Sequence, residues 1–378
     1  MIEIKVSSIF HVISLILIIA ASVQIFYYLF FYIRICVAKR RKQSETFSTV
    51  PVSVIICAQN EEENLRLYLK SVLTQSYSTF EVVVIDDCSE DDTEFYVTNL
   101  ARDYPHLTYR KIVKDEKFRH NKKLAITLGI KAAKYNHFVF IDADCYPVSP
   151  HWLQHMSAEF SDTKHIVIGY GGYEKQSGFL DKLVRYDTFS IAVQYLSYAH
   201  AGIPYMAVGR NLAYDRTIYE QSSKFRNHYH IRSGDDDLFV SETATRKNTA
   251  ISLHSESFTR SVQVTSFSDW RAQKKRHLST SKQYTALHKI LLLVEPFSKF
   301  VLYGALVLYL VFGVTNMYIS VFSLVFFRFL ILLIINNCAM NRLKEKKLLV
   351  YSLLFDLVLP IIILILHIQN KIFSYTKR

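Results

Sequence analysis

The chain has 378 residues, 50% of them hydrophobic and 14% aromatic, and a net charge of +12. That apolar and aromatic content is high for a soluble protein of this size, and the apolar residues are concentrated at the two ends of the chain. Much of the positive excess lies beside those apolar ends and in Arg271–Arg276, where anionic lipid headgroups account for it and nucleic acid is not the expected partner.

In chain order, the first element is Ile9–Ile33, a nearly continuous apolar run. It exceeds the ~20 residues that a membrane span needs. It is also long for a signal-peptide core, and no small-residue cleavage site follows it, so a retained anchor is expected. The cluster Lys39-Arg40-Arg41-Lys42 behind it puts the following domain in the cytoplasm by the positive-inside tendency. Next come Val52–Cys57 as a buried strand, Glu61–Gln75 as a helix, Glu81–Ile85 as a strand and Asp86–Asp92 as an acidic turn. Thr93–Arg102 reads as helix, Leu107–Ile112 as strand, Lys122–Lys134 as helix and Phe138–Ile141 as a fourth strand. Strands alternating with helices imply a parallel α/β sheet. Further spans are expected near Phe300–Val314, Tyr318–Ile335 and Leu348–Ile368, with the basic turn Arg342–Lys347 inside; Asp356 and Pro360 make the last a candidate for a re-entrant or interfacial segment. The five cysteines form no C-x-x-C pair, which with a cytoplasmic domain suggests free thiols.

Right-handed crossovers bring the loops after Cys57, Ile85 and Ile141 to one sheet edge. These loops carry Gln59-Asn60-Glu61, Asp86-Asp87 and Asp142-Ala143-Asp144. Ligands bind at such C-terminal strand ends, and Mg²⁺-type cations take one or two carboxylates plus substrate phosphates. The pattern therefore points to a metal–diphosphate site with a nucleotide as occupant. A phosphatase with Asp142 as nucleophile is a further reading, but Cys145-Tyr146 does not supply the Gly-Thr pair such sites usually have.

PVSVIICAQNEEENL (Pro51–Leu65), VVVIDDCSEDDT (Val82–Thr93), KKLAITLGI (Lys122–Ile130) and FIDADC (Phe140–Cys145) resemble, in order and spacing, the family 2 glycosyltransferases of the GT-A fold. Gly209–Tyr214, Ser233–Leu238 and Gln273–His277 resemble that family's acceptor-side motifs, so the likeness covers Val50–Ser281. It implies a GT-A nucleotide-sugar-binding domain, a mostly parallel sheet flanked by helices, with N- and C-terminal transmembrane helices. The expected division is residues 1–45 as anchor and juxtamembrane segment, 46–285 as catalytic domain and 286–378 as membrane region.

The resemblance also implies roles. Asp87, or its neighbour Asp86, would contact the base or ribose of a UDP- or GDP-sugar, with Glu61 nearby. Asp91 and Asp92 would cap the helix that follows. Lys122 would meet the diphosphate, although Asn121 and Thr127 stand where the family pattern has glycine and asparagine. Asp144 would hold Mg²⁺ or Mn²⁺, with Asp142 supporting it or touching the ribose. Asp235 would be the base that takes the acceptor proton, with Asp236 in reserve because three successive acids blur the register. Gln273 and Arg276 would face the donor, and His277, in place of the family's tryptophan, would stack on a sugar. Asn211 would bind the acceptor or hold a turn. The expected protein is thus an inverting, metal-dependent glycosyltransferase of the cytoplasmic membrane, in contact with membrane lipids and acting on a lipid-linked or growing saccharide. Its rivals are a polyprenyl-phosphate glycosyl synthase and a non-catalytic scaffold subunit of an export complex.

Overall fold

The computed structural model describes residues 2–38, 50–113, 121–231, 233–312 and 318–375. The basic run Lys39–Lys42 lies outside them, as do Lys377 and Arg378. The chain forms two compact units. One takes Lys39–Asp181 and Tyr198–Gln283, the other Met1–Ala38, Lys182–Ser197 and Tyr284–Arg378.

The first unit is α/β. Its strands are β1 Val52–Ala58, β2 Phe80–Asp86, β3 Leu107–Lys111, β4 His137–Phe140, β5 Cys145–Pro147, β6 Ile166–Ile168, β7 Gly171–Tyr173, β8 Leu212–Asp215, β9 Thr249–Ile251 and β10 Thr259–Ser261. Seven of them form one sheet in the order β3-β2-β1-β4-β8-β6-β9, and the rest form a small sheet β5-β10-β7. Strands β3, β2, β1 and β4 run parallel, as the alternating pattern implies. Strand β8 is antiparallel to both β4 and β6.

Strand β1 is apolar on both sides because both faces are covered. Val52, Val54 and Ile56 pack with Leu65, Leu69 and Val72 of the Glu62–Leu73 helix and with Trp152, Leu153 and Met156. Behind the sheet, Val83 and Ile85 pack on Ala125 of the Lys122–Ala132 helix. Each such side chain contributes about 1.5–3 kcal/mol on full burial. That helix lies so close that a Cβ on Gly129 would stand 2.6 Å from Ile55 Cγ2, so any larger residue there would push the helix away. In the register Ala58 faces Asp86, which brings the ends of β1 and β2 level and their loops together.

Among the described residues, the second unit holds four helical stretches long and apolar enough to span a membrane: Phe10–Val37, Ala286–Val311, Ile319–Arg342 and Tyr351–Gln369. The second begins well before the expected Phe300, because Lys289, Glu295, Pro296 and Lys299 interrupt its apolar pattern in the sequence. Glu295 and Lys299 are paired. Lys299 Nζ lies 2.7 Å from Glu295 and 3.1 Å from Asp356, whose other oxygen is 2.6 Å from Arg328 Nη1. Gln24 accepts a 2.9 Å bond from Arg328 and donates another to the Glu295 carbonyl. An isolated charge in hydrocarbon is costly, and mutual pairing lets these residues sit inside apolar helices. Asp356 is therefore no obstacle to a spanning helix. Cys36 and Cys338 form a disulfide, which corrects the expectation of five free thiols. Helix packing brings their Cα atoms to 5.8 Å across a sequence separation of 302, which spacing alone could not reveal.

Removing one member of a buried ion cluster leaves its partners uncompensated, at about 3–5 kcal/mol. Asp356→Asn should lower the thermal midpoint in detergent markedly, and Asp356→Leu combined with Arg328→Met should recover most of the loss. Equal midpoints for wild type and Asp356→Asn would contradict this reading.

Candidate active site

The three polar loops converge in the α/β unit, though not every acid points outward. Asp86 is 0% exposed. Its Oδ2 accepts from the Tyr109 hydroxyl at 2.6 Å and its Oδ1 from Ser89 N–H at 2.8 Å. Both oxygens serve the fold, which corrects the expectation that Asp86 could touch the donor and leaves Asp87 as the nucleotide candidate. Asp91 ties the first two loops together, accepting from Glu62 N–H at 3.0 Å and Thr93 N–H at 3.1 Å. Asp92 occupies the cap position of the Thr93–Asp103 helix but makes no side-chain cap bond. Asn60, at φ 55°, exchanges hydrogen bonds with Ser89 and Glu90 across the same junction. Glu61 accepts from Asn64 at 2.6 Å, and burial, with Asp144 and Asp142 adding to it, holds its carboxyl above the usual range.

Lys122 stands at the centre. Asn121 caps the helix by accepting Leu124 N–H at 3.0 Å, a contact of the kind that contributes ~1 kcal/mol. From the first helical turn, Lys122 Nζ reaches Asp142 Oδ1 at 2.5 Å and Asp235 Oδ2 at 3.3 Å. Burial alone would lower the lysine's pKa, but Asp142, Asp235 and Asp236 outweigh it and hold the ammonium charged. Lys122 and Asp142 keep 38% and 33% of their side-chain surface exposed and Asp235 only 10%, so a solute meets the first two before the third.

Asp142 and Asp144 leave the C-terminal end of β4 with donor oxygens close together, and Cys145 completes the group. Burial raises the Asp142 carboxyl, but Lys122 overrides it and the net shift is downward. Asp144 lies above the usual carboxylate range, through burial and then the neighbouring Asp142 charge. The Cys145 thiol is held well above its ordinary value by burial and by Asp144, so it stays protonated and donates to Asp144 Oδ1 at 3.2 Å. The pair thus offers carboxylate oxygen, the donor type that hard divalent cations prefer.

The three acids at the other side of Lys122 have separate partners. Asp235 faces Lys122. Asp236 accepts Gly209 N–H at 2.6 Å and Asp237 N–H at 2.7 Å. Asp237 accepts the Thr280 hydroxyl at 2.5 Å. Burial, then Asp235 and Asp237, push the Asp236 carboxyl up to about 7. Gly234 at φ +94° provides the left-handed turn before them. Gly209 is closely approached: a Cβ there would stand 3.2 Å from Lys122 Nζ and 3.3 Å from Asp236 Oδ2, and those side chains would have to give by a few tenths of an ångström.

Asn211 is also corrected. It is 0% exposed, and its amide accepts from Trp152 Nε1 at 3.0 Å and donates to the carbonyls of Tyr170 and Ser257, both at 2.8 Å. It holds backbone and does not face a ligand. Gln273 donates to the Tyr173 hydroxyl at 3.1 Å, and Arg276 and His277 are exposed on the Phe267–Leu278 helix.

Two residues escaped the sequence reading. Arg210 lies over the Tyr173 ring at 4.6 Å and bonds Ser261, and its guanidinium lowers both Asp142 and Asp144. Lys123 is 1% exposed and donates to the carbonyls of His228, Ile231 and Ser233 at 2.7, 2.8 and 2.7 Å, fixing the segment that leads into Asp235. The doubled lysine was the available signal, because a helix presents only one of two adjacent residues to the pocket and turns the other aside.

Residues 53–222 match the family Glycosyl transferase family 2. The chain is 30% identical over 193 residues to Glycosyltransferase AglE of Haloferax volcanii, covering 50% of this chain and 60% of that protein. It is 27% identical over 129 residues to UDP-Glc:alpha-D-GlcNAc-diphosphoundecaprenol beta-1,3-glucosyltransferase WfaP of Escherichia coli, covering 34% and 48%. The chain therefore spans less than two thirds of these curated relatives' length. Among solved structures, mannosyltransferase PcManGT from Pyrobaculum calidifontis, in complex with GDP-Man and Mn²⁺, shares the fold with a TM-score of 0.58 at 19% identity, over 91% of this chain and 99% of that one.

Replacing Lys123 by Met keeps its bulk and removes three charge-assisted bonds. Peptides covering Asp235–Leu238 should then exchange amide hydrogens at least tenfold faster, with β1 unchanged. Unaltered protection there would contradict a positioning role for Lys123.

Proposed function

Because residues 53–222 form a family 2 glycosyltransferase domain, we propose that the chain is an inverting, metal-dependent glycosyltransferase. It moves a sugar from a UDP- or GDP-sugar to a hydroxyl of a lipid-linked or growing saccharide at the cytoplasmic membrane. In this reading residues 1–45 anchor the chain, 46–285 carry the chemistry on the cytoplasmic side and 286–378 return to the membrane. WfaP is named for UDP-Glc and a diphosphoundecaprenol-linked acceptor, and PcManGT was solved with GDP-Man and Mn²⁺, which supports this substrate class and leaves the base open.

The observation that carries the proposal is the row Asp144, Asp142, Lys122, Asp235, with its two ion pairs of 2.5 and 3.3 Å. The fit to a divalent cation rests on the donor set: two carboxylates, one raised by the other's charge, beside a thiol that stays protonated. Asp142 and Asp144 would hold Mg²⁺ or Mn²⁺, which when bound supplies positive charge to the donor's diphosphate and stabilises the departing nucleotide. Asp87 binds the base or ribose and Glu61 lies beside it. Lys122 and Arg210 bring positive charge to the diphosphate, with Arg276 and Gln273 at the same end. Asp235 accepts the proton of the attacking hydroxyl, while Asp236, fixed by two backbone N–H groups, sets its position. His277 lines the acceptor side.

With detergent-purified protein and a panel of UDP- and GDP-sugars plus Mn²⁺ or Mg²⁺, one donor should turn over, and Asp144→Asn should cut the rate at least a hundredfold. Asp235→Asn should do the same; a rate it leaves intact would move the acceptor to a phosphate, which needs no strong base. No turnover and no nucleotide binding by the folded protein would overturn the proposal.

The pH dependence follows from the sign of the Asp236 shift. A carboxyl raised to about 7 keeps a proton in the acid pair below that pH and releases it above. The rate should therefore climb as pH rises through about 7 and then level off. Taking away the neighbouring charge in Asp236→Asn should move this limb to lower pH. A limb that stays in place would separate Asp236 from the base.

A further inference from the structure

A second group of ligand-type side chains sits in the α/β unit on elements that the proposed chemistry does not use. His155 belongs to the Trp152–Ser157 helix, and His254 and Glu256 flank the start of the Ser255–Ser257 turn. Each brings one donor atom within 4.8 Å of the other two. His155 Nε2 lies 3.1 Å from Glu256 Oε2, and His254 Nδ1 lies 3.7 Å from the same oxygen. Around a four-coordinate zinc ion with bonds of about 2.0–2.1 Å, ligand atoms stand roughly 3.3 Å apart. The two observed separations bracket that value.

We propose that His155, His254 and Glu256 form a binding site for a zinc-type divalent cation, separate from the carboxylate pair Asp142 and Asp144. Two imidazole nitrogens and one carboxylate select a borderline-soft ion, whereas the all-oxygen pair suits Mg²⁺ or Mn²⁺. The imidazole rings stack with centroids 3.7 Å apart and planes 15° apart, so their in-plane lone pairs run side by side. Convergence needs the half-buried His254 ring to turn about its second torsion, which is soft for histidine. That turn gives up the 3.3 Å contact from Glu256 N–H to His254 Nδ1 and loosens the ring stack. The carboxylate is already oriented, because Glu256 Oε1 accepts from the Ser149 hydroxyl at 3.1 Å. This is the outer-shell support that metal ligands ordinarily have.

The position gives the ion a consequence. Asn211 already bridges the same two elements, through Trp152 on the helix and the Ser257 carbonyl on the turn. A metal on His155 and Glu256 adds a second bracket across that junction. Asn211 is two residues from Gly209, whose N–H holds Asp236, so the bracket braces the turn that positions Asp236. The ion acts here as a clamp, with no part in group transfer.

The test uses the full chain in detergent without an added histidine tag, stripped with EDTA, dialysed against Zn²⁺ and gel-filtered. Elemental analysis should find one zinc per chain, and the thermal midpoint should rise on zinc addition. His254→Gln and Glu256→Gln should each weaken zinc binding at least tenfold, and Ser149→Ala roughly tenfold. Asp144→Asn should retain zinc in full, which separates this site from the proposed catalytic metal. Variants whose metal-free thermal transition matches the wild type's are folded, and Co²⁺ added to the wild-type chain should give visible ligand-field bands. Wild-type protein that retains no zinc and shows no Co²⁺ bands, or zinc retention unchanged in both His254→Gln and Glu256→Gln, would overturn the proposal.

Discussion

The α/β unit depends on one ammonium group. Lys122 lies between Asp142, on the loop that leaves β4, and Asp235, on the segment after Gly234. Without it these carboxylates, with Asp144 and Asp236 beside them, would crowd one small region with like charge. Several unrelated features hold this lysine in place. Asn121 caps the helix start, Gly129 lets the helix lie against Ile55, and Gly209 leaves room for the ammonium. Lys123 fixes the backbone that presents Asp235.

The same arrangement explains how an anionic ligand could be received. A diphosphate that draws on Lys122 would compete with Asp142 and Asp235 for the same ammonium. Arg210 supplies further positive charge to Asp142 and Asp144, its guanidinium resting on Tyr173 and Ser261.

Much of this was legible in the sequence. The strands β1, β2, β3 and β4 lie within two residues of their expected ends at every boundary; β1, β2 and β4 are short, largely apolar runs closed by polar residues, while β3, LTYRK, is the more polar edge strand. That the loops carrying Asp87, Asp142 and Asp144 share one sheet edge follows from the parallel order, whereas Lys122 was expected beside them only from the family resemblance. Asp86 could not be told from Asp87, since both are buried, at 0% and 7% exposure, and only Tyr109, from β3, shows whose oxygens the fold has taken. Asn211 misled for a related reason, as a buried amide bridge and a sugar-binding amide look alike until the partners are known. The charged start of the Ala286–Phe312 helix hid its beginning, because the compensating Asp356 comes from a helix some 60 residues later. The His155, His254 and Glu256 group was invisible for the same cause: His155 lies about 100 residues before the other two and meets them only through the fold.

The central claim is that Asp142 and Asp144 bind a divalent cation together with a nucleotide diphosphate. Mn²⁺ uptake, followed by the loss of its free-ion paramagnetic resonance signal on titration with purified chain, tests this directly with and without UDP or GDP. The account predicts one nucleotide-dependent Mn²⁺ per chain that disappears in Asp142→Asn and Asp144→Asn and persists in Glu256→Gln. Uptake that ignores the nucleotide, or survives both aspartate substitutions, would contradict it.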